Sequence, residues 1–272
     1  MLLDDFTIIC ILITVITTLP LAWKWKLGMG RSALVVVVLT LLSSEIVALL
    51  GNLIYTAAIV RVGLVWLLTL TAAFGIVALL FYRDPERSTV DRDDLIVSPA
   101  DGKVIYIRES RDGILPVSTK AGRSFTLEEL TKTPLQSREA VIVGIDMSFL
   151  DVHVNRAPIK GRVTIQRHFP GGFGSLRLPE MAFKNERMTT VIERGNLQVA
   201  VVQIASRLVR QIVSYVSVGR EVKLGQRIGV IRLGSQVDLV VPARQDLRIM
   251  IKTGERVRAG QTVVALLERH LE

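Results

Sequence analysis

The polarity of the chain changes near residue 82. Three long apolar stretches occupy residues 6–23, 33–60 and 62–82, and short polar segments separate them. A helix needs about 20 apolar residues to cross the hydrocarbon core of a bilayer. The pattern therefore predicts an α-helical membrane anchor over residues 1–82, built from three spanning helices or from two helices and an interfacial segment.

Some residues in these stretches are unfavourable inside a bilayer. Pro20 lies near the end of the first stretch, and Glu45 and Asn52 lie within the second. Charged and amide side chains are costly against lipid, so we expect Glu45 and Asn52 to face a neighbouring helix or an interface. The acidic start of the chain and the lack of a small-residue cleavage site argue against a signal peptide.

Two basic clusters flank the apolar stretches. Residues 24–31 (KWKLGMGR) carry three positive charges, and Arg83 and Arg87 follow the third stretch. With three spanning helices both clusters lie on one side of the membrane, which the positive-inside rule makes cytoplasmic. We therefore expect a protein of the cell membrane whose C-terminal domain, residues 83–272, is cytoplasmic.

Beyond residue 82 the pattern changes to short segments rich in Val and Ile, punctuated by Gly and Pro, which is typical of β-strands. Gly195–Asn196 fits a two-residue hairpin turn, and a short helix is predicted over 124–132, with Ser124 or Thr126 as its N-cap. The predicted strands lie within residues 95–107, 140–147, 151–158, 161–169, 189–205, 211–217, 227–242, 247–251 and 262–268.

One turn form is repeated in the predicted β domain. VSVGREVKLGQRIGVI, IKTGERVRAGQTVVAL and SPADGKVIYI share a turn form. The first two follow the pattern V-x-x-G-x-x-(I/V), whose glycine can take a positive φ. The pattern resembles that of lipoyl- and biotin-carrier domains, so we predict a mainly β fold, an interlocked β-sandwich or barrel. No modifiable lysine stands at a hairpin tip, and the repeat is therefore evidence of fold more than of function.

Composition narrows the functional classes. Of the 272 residues half are hydrophobic and 6% are aromatic, and the formal net charge is +9. A single cysteine, Cys10, excludes a disulfide framework and a multi-cysteine metal cluster, and three histidines leave little room for a histidine-rich metal site. With few aromatic side chains to stack on bases, the basic charge favours an anionic membrane over nucleic acid as a partner. We expect no metal.

Gly234–Ser235 and Asp101 are candidates for chemistry. A Gly-Ser pair between two apolar strands usually marks a bulge, and an aspartate before glycine usually caps its own turn. Taken singly, both features therefore favour a structural interpretation.

His153 is a third candidate. In a strand over 151–158, period-two alternation would place Asp151, His153 and Asn155 on one polar face. Asp151 could then orient the imidazole of His153 and fix its tautomer. Such a face is either solvated or part of a site.

Five blocks of sequence follow one another along the chain: FYRDPER (81–87), SPADGKV (98–104), DVHVNRAPIKGRV (151–163), KNERM (184–188) and GVIRLGSQVDLVVP (229–242). In identity and order they resemble the phosphatidylserine decarboxylase proenzymes, in particular the short branch of that family. They span nearly the whole predicted β domain, and the apolar N-terminal segment is similar to the family's anchor.

The resemblance implies a proenzyme that cuts itself between Gly234 and Ser235. The serine hydroxyl would attack the preceding carbonyl, and elimination and hydrolysis would leave a pyruvoyl group derived from Ser235. The products would be a β chain, 1–234, and an α chain, 235–272, joined as a heterodimer. The pyruvoyl ketone would be the electron sink for loss of CO2, with no metal or diffusible cofactor.

The resemblance also implies roles for particular residues. In the family the aspartate of SPADG, here Asp101, belongs to a Ser-His-Asp arrangement for self-cleavage, and His153 belongs to the site. Longer members have a second histidine where this chain has Arg156. Arginine stays protonated, so the division of acid and base steps is open, and Arg156 could bind the carboxylate or phosphate of the substrate. His168 and Phe169 could border the lipid entry, or His168 could be an ordinary surface histidine.

The resulting hypothesis is a membrane-bound, pyruvoyl-dependent decarboxylase that converts phosphatidylserine to phosphatidylethanolamine and CO2. One alternative is an archaetidylserine decarboxylase, because that lipid has the same phosphoserine head group. Another is a non-catalytic, membrane-anchored adaptor with a lipoyl-like sandwich. The expected partners are the membrane and its anionic phospholipids, and homo-oligomerisation is left open.

Overall fold

The computed structural model describes residues 4–25, 27–51, 57–90, 92–118, 124–176, 178, 180–206, 211–231 and 235–268. The chain divides into two compact units, Met1–Arg83 and Asp84–Glu272.

The first unit consists of three helices, α1 (Asp5–Lys24), α2 (Met29–Gly51) and α3 (Ala58–Tyr82). Each is long and apolar enough to cross a membrane. The side chain of Asp4 caps α1 by accepting a hydrogen bond from the backbone N–H of Thr7 (3.1 Å). The prediction that this part of the chain is helical and apolar is confirmed, and the three helices indicate that the protein associates with a membrane. The number of helices that span the bilayer stays a prediction.

Small polar side chains join the three helices. The hydroxyls of Thr14 on α1 and Thr40 on α2 are 2.8 Å apart, and Thr69 on α3 donates to Ser43 on α2 (3.3 Å). Small residues at such contacts let helix backbones approach closely, and hydroxyl pairs between helices are favourable away from water. Glu45 is exposed on α2, so it does not face a neighbouring helix of this chain, and the alternative that it lies at an interface stays a prediction. Asn52 lies outside the described residues.

The second unit is mainly β, as predicted. It contains sixteen strands and two short helices among the described residues: β1 (Leu95–Val97), β2 (Gly102–Ser110), β3 (Ile114–Ser118), β4 (Ser124–Thr126), α4 (Leu127–Thr131), β5 (Ala140–Met147), β6 (Val154–Arg156), β7 (Gly161–Phe169), α5 (Met181–Lys184), β8 (Arg187–Arg194), β9 (Leu197–Ala205), β10 (Ile212–Ser214), β11 (Glu221–Val222), β12 (Arg227–Ile231), β13 (Ser235–Pro242), β14 (Leu247–Ile249), β15 (Arg256–Val257) and β16 (Val263–Leu267).

A curled sheet of eight strands, in the order β11-β7-β8-β9-β13-β5-β2-β15, organises this unit. Two three-stranded sheets, β1-β16-β14 and β10-β12-β6, and the hairpin β3-β4 complete it. The central strand β13 is buried on both faces. Leu239 faces one apolar cluster and Val240 faces the other, whereas Gln236 and Asp238 of the same strand are buried polar residues.

The repeated turns occupy equivalent positions at opposite edges of the sheet. One turn leads through β11, which pairs with β7, and the other leads through β15, which pairs with β2. The glycines of both turns have positive φ, as predicted: Gly219, Gly225, Gly254 and Gly260. The comparison with lipoyl- and biotin-carrier domains stays a prediction.

The equivalence extends to the segments that enter β2 and β7. Val97 N–H donates to Pro158 O and Arg156 N–H donates to Pro99 O, both at 2.9 Å. Gly102 and Gly161 end the two segments with the same φ of +153°, and a Cβ at either would lie within 2.4 Å of a carbonyl oxygen. The two halves of the unit therefore interlock through a pair of reciprocal hydrogen bonds.

Some predicted elements are shorter than the sequence suggested. The segment 151–158 contains only the three-residue strand β6, and the helix predicted over 124–132 begins at Leu127 after the strand β4. Thr126 is its N-cap and forms a capping box with Glu129. The helix is shorter because a residue that caps a helix has extended backbone and belongs to the preceding strand.

A buried polar cluster lies on the side of β13 that faces α4. The carboxylate of Asp238 accepts hydrogen bonds from Tyr106 Oη and Gln236 Nε2, both at 2.7 Å. Burial raises the pKa of Asp238 to about 6, although both hydrogen bonds oppose the shift. Burial raises the pKa of Tyr106 as well, so its hydroxyl keeps the proton that it donates.

This cluster predicts a pH-dependent stability. The pKa of Asp238 is raised from 3.8 to about 6 on folding, so its contribution to stability is present below pH 3.8 and is lost as the pH rises through 6. Between pH 5 and 7 the loss is about 1 kcal/mol. Thermal unfolding of the full chain in detergent should show a smaller change over this range for Asp238→Asn than for the wild type. The exposed control Asp112→Asn should behave like the wild type, and equal slopes for all three proteins would contradict the assignment.

Candidate active site

The candidate site lies at one end of the eight-stranded sheet. Ser235 opens β13 there, opposite Met147 at the end of β5 and Ala205 at the end of β9. Asp101 directly precedes β2, which pairs with the other side of β5. Neighbouring strands are about 4.8 Å apart, so the backbones of Asp101 and Ser235 are roughly 10 Å apart along this edge.

Ser235 is buried, with 2% of its surface exposed. Its hydroxyl lies 3.3 Å from the thioether sulfur of Met147. Its side chain points toward the apolar core between the large sheet and the sheet β10-β12-β6, since Val237 and Leu239 on the same face belong to that core. Gly234, the other residue of the predicted cleavage site, lies outside the described residues.

His153 lies beside the segment that leads to Ser235. Its backbone carbonyl accepts a hydrogen bond from the N–H of Ile231 (3.2 Å), four residues before Ser235, and its side chain is buried. The prediction that 151–155 form a strand with one polar face is wrong, because all five residues are buried and strand β6 starts only at Val154.

Asp151 has other partners than the predicted ones. Its carboxylate accepts from the N–H and hydroxyl of Ser148 (2.8 and 2.7 Å) and from Arg256 (2.9 Å). These bonds close the turn between β5 and β6. The turn places His153 at the site end of the sheet, so Asp151 supports the position of His153 through the backbone.

Asn155 and Gln203 form a buried amide pair that sequence reasoning did not single out as a pair. Gln203 Nε2 donates to Asn155 Oδ1 (2.8 Å), and Asn155 Nδ2 lies 3.9 Å from the sulfur of Met147, which also contacts Ser235. Gln203 Oε1 is buried and accepts no hydrogen bond within the described part of the chain. The sequence does contain one signal for Gln203, because it is the only polar residue in the apolar run VAVVQIA.

Gln203 is within reach of Ser235. Gln203 lies two residues before Ala205, the cross-strand partner of Ser235. Such diagonal neighbours are about 7–8 Å apart on one face, which a long side chain can span. An unsatisfied buried acceptor beside a buried serine is costly unless another group supplies the hydrogen bond.

Asp101 is held in a buried ion pair. The two terminal guanidinium nitrogens of Arg87 donate to its carboxylate (2.5 and 2.8 Å), and the N–H of Ala259 donates to it as well (2.7 Å). The side chains of both residues are about nine-tenths buried. The interpretation that Asp101 only caps its own turn is therefore incomplete, because its carboxylate also binds two segments that are remote in sequence.

Arg156 is almost fully buried and anchors neighbouring segments. Its guanidinium donates to Gly225 O (3.0 Å), Pro85 O (3.0 Å) and the carboxylate of Asp84 (3.3 Å). Burial lowers the pKa of Arg156, and the positive charge of Arg227 lowers it further. These bonds give Arg156 a structural function, and a contact with substrate stays a prediction.

His168 and Phe169 lie at the same end of the sheet but three strands away from β13. His168 is in register with Met188, which pairs with Gln203, which pairs with Val237. At about 4.8 Å per strand the backbone of His168 is roughly 14 Å from β13. His168 Nε2 contacts Glu186 Oε1 at 2.8 Å. The sheet does not bring His168 or Phe169 next to Ser235, and their contact with a lipid stays a prediction.

Asn185 ties the loop after β7 to this end of the sheet. Its Nδ2 donates to Gly174 O and Ala205 O (both 2.9 Å), and its Oδ1 accepts from the N–H of Gly174 (2.8 Å). Because Ala205 is the cross-strand partner of Ser235, the loop at 170–174 is fixed beside the strand next to the candidate serine. No group of three or more His, Cys, Asp or Glu in the described ranges is arranged to hold a metal.

Comparison with known proteins identifies the family. The sequence model of phosphatidylserine decarboxylase matches residues 74–265, which is most of the chain. The chain belongs to the phosphatidylserine decarboxylase family. The resemblance expected from the five sequence blocks is confirmed, and the family is one of carboxy-lyases.

Relatives within the family differ in the lipid that their names give. The chain is 41% identical to a protein of Methanocaldococcus jannaschii provisionally named archaetidylserine decarboxylase proenzyme, over 68% of this chain and 87% of the relative. It is 35% identical to the phosphatidylserine decarboxylase proenzymes of Geotalea uraniireducens (72% and 84% covered) and Ralstonia nicotianae (75% and 81% covered). The word proenzyme in these names describes chains that are processed.

The ion pair of Asp101 yields a prediction. Arg87→Met leaves a buried carboxylate without its bidentate partner, which costs about 3–5 kcal/mol and should lower the thermal unfolding midpoint in detergent by roughly 10 °C. Arg92→Met removes the partner of Asp94 in a pair whose arginine is 56% exposed, and it should change the midpoint by no more than about 2 °C. Equal effects of the two substitutions would contradict a buried, stabilising pair.

Proposed function

We propose that the protein is a membrane-anchored decarboxylase of serine phospholipids that matures by self-cleavage between Gly234 and Ser235. The observation that carries this proposal is the position of Ser235 in a protein of this family. It is buried at the first residue of a central strand, with Asp101 on the same edge and His153 beside the preceding segment. The hydroxyl of a serine that attacks the preceding backbone carbonyl must be held in a fixed position, and the buried first residue of a strand provides such a position.

The proposed self-cleavage is an acyl shift followed by an elimination and a hydrolysis. Ser235 Oγ loses its proton to a base and attacks the carbonyl carbon of Gly234, and the C–N bond breaks to give an ester. Loss of the α-proton of residue 235 then expels the Gly234 carboxylate and leaves dehydroalanine. Water hydrolyses this unit, ammonia leaves, and a pyruvoyl group remains at the N-terminus of the α chain. Asp101 and His153 are the proposed acid and base residues, with their individual steps left open.

The surroundings of Ser235 fit a pyruvoyl group. That group supplies a ketone that condenses with the lipid amine and accepts the electron pair released with CO2. The site is dry enough for this chemistry, because Ser235, Asn155 and Gln203 are each at least 97% buried. We propose that Gln203 Oε1 accepts a hydrogen bond from the substrate amine and that Asn155 holds the amide in place.

The proposed substrate is defined by its head group. Phosphatidylserine and archaetidylserine share phosphoserine, and the relatives carry both names. The net charge of +9 favours an anionic membrane surface. We also propose that residues 1–82 anchor the enzyme through three spanning helices, that the β and α chains remain associated, and that the catalytic domain is cytoplasmic.

Replacement of the proposed nucleophile tests the whole proposal. Intact mass of the purified wild type should show an α chain of 38 residues (272 minus 234), blocked at its N-terminus. Ser235→Ala removes the hydroxyl, so the variant should stay a single chain and release no CO2 from phosphatidylserine. Ser217→Ala, a substitution in an exposed turn, is the matched control and should be cut normally. A wild type that stays uncut would instead favour the non-catalytic adaptor.

Replacement of Gln203 tests recognition of the amine. Gln203→Leu has similar volume but no acceptor, so in processed enzyme it should lower kcat/KM by about tenfold to a hundredfold, which is the worth of one hydrogen bond to a charged group. Gln203→Glu keeps an acceptor and should recover part of the loss. Gln198→Leu, on the same strand outside the site, should retain wild-type kcat/KM. Unchanged kcat/KM in cleaved Gln203→Leu would refute the assignment.

A further inference from the structure

A basic cleft lies on the second unit, apart from Ser235. It has a volume of about 600 Å³ and is formed by the segment 86–89 and the turn 215–227. Its lining includes five cationic side chains and one acid: Arg87, Arg156, Arg220, Lys223, Arg227 and Glu86.

Charge counting leaves this cleft with a surplus of two positive charges. Three of the arginines are paired with acids: Arg87 with Asp101, Arg156 with Asp84, and Arg227 with Asp84 and Glu86. Five cations against these three carboxylates give a net charge of +2. The surplus corresponds to Arg220 and Lys223, which form no ion pair within the described ranges and are exposed.

The floor of the cleft also favours an anion. Arg156 is 4% exposed, and its Nε is buried with no hydrogen-bond partner among described residues. Burial lowers the pKa of Arg156, and the nearby positive charges of Arg227 and Arg87 lower it further, whereas Asp84 and Glu86 raise it. A bound anion would relieve the repulsion among the three arginines.

The rim combines these cations with exposed apolar side chains. Tyr215 is 47% exposed and Val218 is 59% exposed, and both lie in the turn that carries Arg220. Apolar and basic side chains together are typical of surfaces that touch the head-group region of an anionic bilayer.

The end of the cleft formed by Arg220, Lys223 and Arg227 is too far from Ser235 to hold the phosphate of the lipid that is reacting. Arg227 and Ile231 are the two ends of β12, which are about 13 Å apart, and Ile231 is the end next to His153. In phosphoserine only four bonds of about 1.5 Å separate the amine nitrogen from phosphorus. A phosphate held by Arg220 and Lys223 at that end therefore belongs to another molecule.

We propose that this cleft binds the phosphate of a second, non-reacting anionic phospholipid and so docks the catalytic unit on the bilayer. The bound group is a phosphodiester monoanion held by Arg220 and Lys223, with Tyr215 and Val218 in the head-group region. Binding itself does not depend on the proposed decarboxylase function. Its effect on turnover does rest on that function.

The direct test measures binding to the full chain in detergent by calorimetry, with dihexanoyl-phosphatidylglycerol as the probe. Phosphatidylglycerol is anionic but has no amine, so it cannot react. The double substitution Arg220→Gln/Lys223→Gln should weaken binding by about tenfold or more. The matched control is Lys252→Gln/Arg258→Gln, which removes the same charge from the second copy of the turn and should bind like the wild type. Thermal unfolding verifies that each variant is folded.

Three outcomes would overturn the proposal. Equal binding by wild type and by the Arg220/Lys223 double variant would exclude the cleft. An equal loss in the control variant would show a general charge effect rather than a site. Inorganic phosphate that binds the wild type as tightly as the lipid probe would mean that the ligand is free phosphate.

A second measurement connects the cleft to turnover. In nanodiscs with a fixed fraction of phosphatidylserine, replacing phosphatidylcholine by phosphatidylglycerol should raise the initial rate of the wild type and of the control several-fold, and this rise should be lost in the Arg220/Lys223 double variant. If the rise persists in that variant, docking through the cleft is refuted. A wild type that binds the lipid probe but releases no CO2 in any nanodisc refutes the decarboxylase proposal and leaves the binding site intact.

Discussion

Two reciprocal backbone hydrogen bonds join the two halves of the second unit. The N–H of Val97 reaches Pro158 O, and the N–H of Arg156 reaches Pro99 O. These contacts cross the two segments that enter β2 and β7, and they bring Asp101 and Arg156 to one place although the residues are far apart in sequence. The crossing connects the starts of β2 and β7, which lie on either side of β13 in the large sheet.

Buried charge then fixes the chain that leads into the crossing. Arg87 binds both Asp101 and Ala259 O, and Thr89 donates to Gly260 O. Asp84 binds Arg156 and Arg227 on the other half. The segment 84–89 is thus joined to both halves by charge-assisted bonds. The Arg87–Asp101 pair is about nine-tenths buried and is costly to leave half-made, whereas Asp84 and Arg227 are about one-third exposed. Because one of these bonds ends on Asp101, the stability of the crossing and the geometry of the candidate site depend on the same ions.

Sequence reasoning succeeded where local pattern decides structure. The strands at 140–147 and 161–169 were predicted with their observed bounds, since alternation and β-branched residues act within a few positions. It failed at Asp151, whose carboxylate is taken by Ser148 and Arg256. It also gave no hint of the pairing of Gln203 with Asn155, which are 48 residues apart. Contacts of that kind depend on register across strands, which no local pattern contains.

The interlocked halves have one further consequence. Asp101 and Lys160 occupy matching positions before Gly102 and Gly161, so the same backbone carries an acid in one half and a base in the other. The acid is buried against Arg87, whereas Lys160 contacts Asp93 near the surface. The two halves therefore share a backbone conformation at this position but differ in the charge and burial of the side chain, so the conformation of the segment does not depend on which of the two side chains it carries.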